Sequence, residues 1–418
     1  MLVSSLKWTI LQREKKIILS IVTGLIIGCI GFGFLSVHKN SLAFNSADEM
    51  KETERYEELH SVDTNLHYKI HTYDITIDGD DVRTEIEFDH TATNSPSFQL
   101  YYAYPVQKVM VDGTKVSYAR EGDIIHINSG TDKFKKITFY YKLTDTALIP
   151  YSKNSTILLA NHGWYPKKNC KHIFEKDAYL GTVQRTNDVK VNEAYYFTLT
   201  ADDVLFTNID SAGRNYKGKT SGLSLIKGEG NQLKYKNYDI VYPADWPNMP
   251  KRIEEVTNRL ESILSEIYIL APMKVNALPS KLVFMNNTTP NLINNDHLVY
   301  STNGSTLAIN DEEVMKDFER NLIALTVEPK GNREMYNEWI NMSSQMIKKE
   351  MGTPIYEPGP TIDLLESSFR DIVNSIHAEF NLLSLEDKRI FLEQWYHAMD
   401  DAWTWENVNL LLEEKKAN

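Results

Sequence analysis

Cysteine is nearly absent from this chain of 418 residues, and its absence restricts both the fold and the compartment. Cys29 lies in an apolar run near the N-terminus, and Cys170 is the only cysteine in the rest of the chain. An intramolecular disulfide is therefore excluded there, whereas a secreted eukaryotic domain of this size commonly carries several. The shortage is more typical of a bacterial surface protein. Cys170 and nearby His172 resemble a thiol nucleophile pair, but "NCKH" contains no third orienting group, so a structural thiol is preferred.

An excess of basic charge is also missing. The chain has 57 acidic and 45 basic residues and a formal net charge of -12. No basic stripe is interleaved with aromatic residues, so nucleic acid is excluded as a partner. What the sequence does have is 42% hydrophobic residues, enough to bury one large core or two to three ordinary ones.

A long uncharged run lies near the N-terminus. It reads "IILSIVTGLIIGCIGFGFLSV" over residues 17–37, and a helix of this length crosses a bilayer. Basic residues precede the run and a mostly acidic segment follows it, so the positive-inside rule places residues 1–16 in the cytoplasm and residues 38–418 outside. The sequence thus predicts a single-pass cell-membrane protein that meets the lipid bilayer through residues 17–37.

The same run allows two other interpretations. Small Gly28 before Cys29 resembles the cleavage and lipidation box of a bacterial lipoprotein, which would anchor the chain through Cys29. The run would be lost altogether if it were a removed signal peptide. Apolar residues continue for two turns beyond Cys29, which a lipidated N-terminus does not need, so the membrane helix is preferred.

Periodicity divides the rest of the chain into four parts. Residues 38–65 are polar and highly charged, which is typical of a stalk or a short surface helix. Residues 66–243 alternate apolar and polar positions between turn residues and predict an antiparallel β-sandwich, which opens with a hairpin that turns at Asp78-Gly79-Asp80. Residues 244–351 open with the amphipathic helix "KRIEEVTNRLESILSEIYIL" and continue with the strand "SKLVFM" and more helices. Residues 352–418 follow a proline-rich break with helices alone, so the predicted fold class is α+β.

Two helices of the third of these parts flank a turn at Pro329-Lys330-Gly331. They carry the sequences "FERNLIALT" and "NREMYNEWI". Their apolar residues recur at helical spacing, and the simplest interpretation is an ordinary packed pair. The core positions that this spacing predicts are Leu322, Ile323, Leu325, Met335 and Trp339.

The order of these parts resembles that of the gluzincin aminopeptidases, the aminopeptidase N type. The stretches that carry the resemblance are "YKIHTYDITIDGDDVRTEIEF", "NHGWYP", "YYFTLTADDVLFTNID" and "RIEEVTNRLESILSEI". The same order is similar to that of the peptidase-like extracellular domains attached to some bacterial ABC-transporter permeases. The resemblance covers about residues 66–345. It implies that a thermolysin-like α/β-to-helical domain follows the β-sandwich.

In that family, zinc is held by H-E-x-x-H on one helix and, at an eighteen-residue spacing, by a glutamate of an Asn-Glu-Gly sequence on the next. The two histidines project from one helical face, and the glutamate between them polarises the metal-bound water. If Glu338 in "NEW" corresponds to the distant glutamate, the motif falls on Met315 to Glu319. Met315 and Glu319 then replace the histidines, and Lys316 replaces the catalytic glutamate.

No His-Glu dipeptide occurs anywhere in the chain, so the motif has not simply moved. The family's Gly-x-Met-Glu-Asn segment, whose glutamate anchors a substrate's amino terminus, is also missing, and "NNDHLVYST" stands in roughly its place. The resemblance therefore implies a degenerate scaffold with no catalytic residue, no metal and no cofactor.

Two histidine-containing segments outside this region suggest a replacement metal site. One is "SIHAEF", with His377 and Glu379, and the other is "WYHAMDDAW", with His397, Asp400 and Asp401. Single histidines on amphipathic helices are more often packing residues, so metal binding is not expected at either place.

Three functions remain as hypotheses. The first is a non-catalytic, peptidase-like ectodomain that assists an ABC permease and its ATPase or binds a peptide. The second is a hydrolase with an unrecognised site or altered ligands. The third is a structural or adhesive cell-surface protein. The joint replacement of metal ligands, base and amine anchor favours the first.

Overall fold

The computed structural model divides into two compact units, Met1–Gly228 and Glu229–Asn418. The residues that it describes are 54–56, 59, 62–91, 93–146, 148–149, 151–152, 156–169, 171–176, 183–185, 193–212, 215–244, 246, 248–285, 291–301, 318–352 and 367–416. The proposed membrane helix at residues 17–37, Cys29 and Cys170 lie outside them. Within the described ranges, no helix is both long enough and apolar enough to span a membrane.

The first unit consists mainly of β-strands. Its strands are β1 Tyr68–Asp78, β2 Asp81–Thr91, β3 Ser97–Gln99, β4 Val106–Val111, β5 Thr114–Val116, β6 Tyr118–Glu121, β7 Ile124–Ile127, β8 Lys136–Lys142, β9 Thr156–Leu158, β10 Phe174–Lys176, β11 Val183–Arg185, β12 Tyr195–Thr200, β13 Val204–Thr207, β14 Asp210–Ala212, β15 Asn215–Thr220 and β16 Leu225–Lys227.

These strands form one large sheet and three small ones. The eight-stranded sheet has the order β14-β15-β12-β1-β2-β8-β4-β5, and the small sheets have the orders β3-β7-β6, β13-β16-β9 and β10-β11. The sequence predicted antiparallel pairing, but β1 and β12 pair in parallel, with Thr72 opposite Tyr196. This pairing joins strands far apart in the chain, and hairpin signals in the sequence describe only local neighbours.

The hairpin of β1 and β2 forms where the sequence predicts it. Asp78 pairs with Asp81, which leaves Gly79 and Asp80 as a two-residue turn. Gly79 has a φ of 59°, as the first central residue of a type II′ turn requires. On β1, buried and more exposed residues alternate over most of the strand, so one face of the hairpin contributes to the core.

One hydrophobic core joins the large sheet to both three-stranded sheets. Phe98 on β3 contacts Phe139 on β8, with ring centroids 5.3 Å apart. Trp164 is fully buried, and its indole N–H donates to the carbonyl of Leu223 at 3.0 Å. Because the indole N–H has this acceptor, burial of the large ring leaves no unpaired donor.

Part of the predicted stalk packs on the first unit. Tyr56 is 1% exposed, and its ring packs edge-on against Tyr102 and Phe174 at centroid distances of 5.6 and 5.2 Å. The guanidinium of Arg55 lies 4.2 Å above the ring of Tyr102. The sequence predicted a stalk or a short surface helix in this segment, and residues 54–56 are helical. Tyr56 and the partly buried Leu59 provide the apolar contacts of this segment with the core of the β-sheet unit.

The second unit combines a small sheet with helices. Its strands are β17 Gly230–Tyr235, β18 Tyr238–Pro243, β19 Lys281–Met285, β20 Leu292–Ile293 and β21 His297–Ser301. Its helices are α1 Met249–Leu270, α2 Phe318–Thr326, α3 Arg333–Glu350, α4 Ser367–Leu382, α5 Leu385–Ala398 and α6 Trp405–Lys416. The protein is therefore of the mixed α+β class.

The boundary between the units differs from the boundary drawn from periodicity. The sequence placed residues up to 243 in the β-sandwich, but β17 and β18 belong to the five-stranded sheet of the second unit, in the order β17-β18-β19-β21-β20. β18 pairs in parallel with β19, and a parallel pair requires a crossover connection. Helix α1 lies in that connection, so β18 and α1 belong to the same unit.

Helix α1 has the buried face that its sequence predicts. Ile253, Val256 and Leu260 are at most 4% exposed, as are the later members of the same face, Ile263, Leu264 and Ile267. The strand predicted at "SKLVFM" is β19, and the predicted C-terminal helices correspond to α4, α5 and α6. In these segments the helical or strand period was strong enough to identify the element.

Candidate functional site

The positions that the resemblance aligns with the zinc motif fall on or next to helices α2 and α3. Phe318, Leu322 and Ile323 on α2 are fully buried, and so is Trp339 on α3. The pair therefore packs as the helical spacing predicts, except that Leu325 is only partly buried. Of the four degenerate positions, Glu319 and Glu338 lie in these helices, while Met315 and Lys316 fall outside the described residues.

Glu319 is paired with an arginine inside the protein. Its carboxylate is 0% exposed, and Arg259 on α1 donates to Oε1 from Nη2 at 2.6 Å and from Nε at 3.2 Å. Within the described chain, Oε2 has no hydrogen-bond partner. Burying a carboxylate without a counter-charge costs much free energy. The guanidinium of Arg259 offsets this cost for Glu319.

Glu338 is also held by protein groups. Its Oε1 lies 2.5 Å from Nε2 of His377 on α4 and accepts from Nδ2 of Asn341 at 3.0 Å. Asn341 in turn accepts from Nε2 of Gln345 at 3.2 Å. Positions 338, 341 and 345 share one face of α3. Glu338, which the resemblance aligns with the distant zinc ligand, therefore belongs to a hydrogen-bonded row that joins α3 to α4.

These contacts determine what the two carboxylates can do chemically. A divalent cation placed on Glu319 would lie beside the Arg259 guanidinium and would be repelled by it. A cation placed on Glu338 would have to compete with His377 and Asn341 for Oε1. Among the described residues, no three histidine, cysteine or acidic side chains converge in a way that could hold a metal ion.

The other histidines that the sequence singled out have different surroundings. His377 lies against Glu338. His397 is exposed, and its carbonyl accepts a hydrogen bond from the ammonium of Lys330. His172 lies near Asp123, whose backbone N–H donates to His172 Nδ1 at 3.3 Å.

Asp123 forms a buried polar cluster that the sequence analysis missed. It is 0% exposed and accepts from the hydroxyl of Tyr56 at 3.0 Å, from the N–H of Tyr102 at 2.8 Å and from the N–H of Ile173 at 2.7 Å. Burial raises the pKa of Asp123, while the two N–H donors act in the opposite direction. The turn residue Asp123 thus connects three segments of the first unit.

The segments that carried the family resemblance have structural contacts. In "NHGWYP", the indole N–H of Trp164 donates to the carbonyl of Leu223, and the Tyr165 hydroxyl accepts from the N–H of Leu223 at 3.1 Å. The ammonium of Lys167, just after this segment, donates to the carbonyl of Ala160, just before it, at 2.7 Å. The segment "NNDHLVYST" contains β21, all of whose residues are buried. The apolar run "HLVYS" was a signal for this strand, but surrounding polar residues obscured it.

No protein-family model matches the chain, and no curated protein sequence matches it. The solved structures to which it is similar include yeast LTA4 hydrolase in complex with bestatin, with a TM-score of 0.48 and 10% identity over 90% of this chain and 70% of that one. Another is an M1 zinc metallopeptidase from Deinococcus radiodurans, with a TM-score of 0.42 and 10% identity over 84% and 92% of the two chains. A third is aminopeptidase A from Legionella pneumophila in complex with aspartic acid. Its TM-score is 0.46, and the identity is 8% over 86% of this chain and 50% of that one.

Proposed function

We propose that this chain is a membrane-anchored, extracytoplasmic and non-catalytic peptidase-like protein. In this proposal it acts as an accessory or peptide-binding component of an ABC transport system. The observation that carries the proposal is the pairing of Glu319 with Arg259. A carboxylate at a former metal position is neutralised by a protein cation, so the scaffold no longer needs a metal ion there.

Three further observations support the proposal. Glu338 is engaged by His377 and Asn341, and the sequence has Met315 and Lys316 where the resembling family has a zinc ligand and a carboxylate base. The uncharged run at residues 17–37, with basic residues before it, supports a single helix with a cytoplasmic N-terminus. The bulk of the chain would then meet the outer part of a transporter.

Co-purification tests the accessory role. The full-length protein would be isolated from its native membrane in mild detergent, and the proteins recovered with it would be identified by mass spectrometry. The matched control is a chimaera in which residues 1–37 anchor an unrelated extracytoplasmic domain. We expect an ABC permease and its ATPase with the full-length chain and neither with the chimaera. Recovery of the full-length protein alone would contradict the accessory role.

A further inference from the structure

A cavity of about 320 Å³ lies within the second unit, on the side of α3 that faces α4 and α5. This volume is within the range of roughly 300–1,000 Å³ typical of sites for small ligands. The residues that line it are Gln345, Met346, Lys349, Glu350, Phe380, Asn381, Leu383, Leu385 and Lys388. They divide into two ammonium groups, two side-chain amides, an apolar wall and one carboxylate.

Lys388 is the unusual member of this lining. It is 6% exposed, and its ammonium donates to the carbonyl of Asn381 at 3.2 Å and lies 5.5 Å from the centre of the Phe380 ring. Within the described part of the chain it has no carboxylate partner. Burial lowers the pKa of Lys388, and the positive charge of Lys349 lowers it further. A buried ammonium with a second ammonium nearby is stabilised by an anion.

The single carboxylate of the lining does not meet this need. Glu350 Oε1 accepts from Nη2 of Arg389 at 2.6 Å, and Arg389 also bonds Glu266 on α1 at 2.9 Å. Glu350 is therefore engaged by a guanidinium that lies outside the lining, and it shares that guanidinium with Glu266. The two lysines leave the cavity with an excess of positive charge, although the chain as a whole is acidic.

The remaining lining residues determine what kind of anion fits. Phe380, Leu383 and Leu385 present an apolar wall beside the ammonium of Lys388. Gln345 and Asn381 contribute amide groups, which match the N–H and C=O of a peptide bond. Gln345 is oriented by its bond to Asn341, the residue that also bonds Glu338.

We propose that this cavity binds the carboxyl-terminal residue of a peptide that ends in an apolar side chain. The free carboxylate would lie between Lys388 and Lys349, the side chain would lie against Phe380 and the leucines, and the last peptide bond would meet Gln345 and Asn381. This inference rests on the proposed peptide-binding function and adds to it the class of ligand and the end of the peptide that is recognised.

Binding of two matched peptides to the full-length protein in lipid nanodiscs tests the inference. The probes are acetyl-Ala-Ala-Leu with a free carboxylate and the same peptide with a terminal amide, and calorimetry measures their affinities. We expect the acid to bind at least about tenfold more tightly than the amide, since a hydrogen-bonded charge pair is worth about 1.5–3 kcal/mol. This comparison requires no substitution and therefore does not depend on how a variant folds.

Variants then locate the site. Lys388→Met should weaken binding of the acid peptide about tenfold or more and remove its advantage over the amide, and Lys388→Arg should restore much of that advantage. Lys251→Met, at an exposed lysine on α1, should leave both affinities unchanged. Retention of full affinity and acid preference in Lys388→Met would overturn the assignment to this cavity.

The other outcomes separate this inference from the function on which it rests. Equal binding of the acid and the amide would overturn carboxylate recognition while leaving peptide binding intact. Binding of octanoate but of neither peptide would overturn the peptide assignment and identify an acyl carboxylate as the ligand. Absence of binding by either peptide and by longer extended peptides would count against both the inference and the proposed peptide-binding role.

Discussion

Replacing Glu319 by glutamine is expected to destabilise the second unit by about 3 kcal/mol. The change leaves the guanidinium of Arg259, whose side chain is only 18% exposed, without its charged partner. Removing one partner of a buried ion pair costs about 3–5 kcal/mol of stability. Urea unfolding of the full-length protein in detergent, followed by tryptophan fluorescence, measures the effect. Most of the chain's seven tryptophans lie in the second unit.

Two comparisons make this prediction specific. Glu255→Gln, which breaks the more exposed pair with Arg252 on α1, should cost under about 1 kcal/mol. The double variant Arg259→Met with Glu319→Leu should recover most of the stability, because a well-packed apolar pair often replaces a buried ion pair without loss. A cost for Glu319→Gln no larger than that for Glu255→Gln would contradict a structural role for the buried pair.

Replacing Asp123 by asparagine is expected to destabilise the first unit by about 3 kcal/mol. Each carboxylate oxygen accepts from a backbone N–H, Oδ1 from Tyr102 and Oδ2 from Ile173. In either orientation, an asparagine amide must therefore turn its NH₂ group towards one of these donors. A buried N–H left without an acceptor costs about 1–3 kcal/mol, and the loss of a charged acceptor adds to this.

Asp112 provides the matched control because it has similar bonds at an exposed position. Its Oδ1 accepts from the N–H of Lys135 at 3.1 Å and of Lys136 at 2.9 Å. Asparagine keeps that oxygen, so Asp112→Asn should cost under about 1 kcal/mol. Hydrogen exchange of the first unit, compared between the two variants, measures the difference. Equal protection in both variants would contradict the importance of the buried acceptors.

The elements that could be predicted from the sequence are those whose signal is local. The hairpin of β1 and β2 depends on a turn glycine and a period of two, and α1 depends on apolar residues at helical spacing. Helix α5 is one of the helices that follow a proline-rich break, and in the structure its N-cap is Ser384, whose hydroxyl accepts from the N–H of Asp387 at 3.2 Å. In each case the residues that determine the structure lie within about 20 positions of one another, so the period and the caps are visible in a single stretch.

The features that could not be predicted depend on partners far apart in the chain. Strand β1 pairs in parallel with β12, and β18 pairs with β19 in the five-stranded sheet of the second unit. Both pairings join strands far apart in the chain, and no local sequence pattern specifies them. β21 is short, and polar residues flank its buried run.

The candidate site was predicted only in part for the same reason. The resemblance identified Glu319 and Glu338 as positions of interest, but one arginine or histidine on a distant helix carries no periodic signal. The partners Arg259 and His377 therefore appeared only in the structure. Tyr56 and Asp123, which are 67 positions apart, were missed in the same way.

The zinc content of the purified protein shows whether Arg259, His377 and Asn341 have taken the place of a metal ion at Glu319 and Glu338. The full-length chain would be purified without chelators, equilibrated with zinc, passed through a desalting column and analysed by mass spectrometry of its metals. The account predicts far less than one zinc ion per chain. One zinc ion per chain, lost on replacement of Glu338 by alanine in a variant that remains folded, would contradict it.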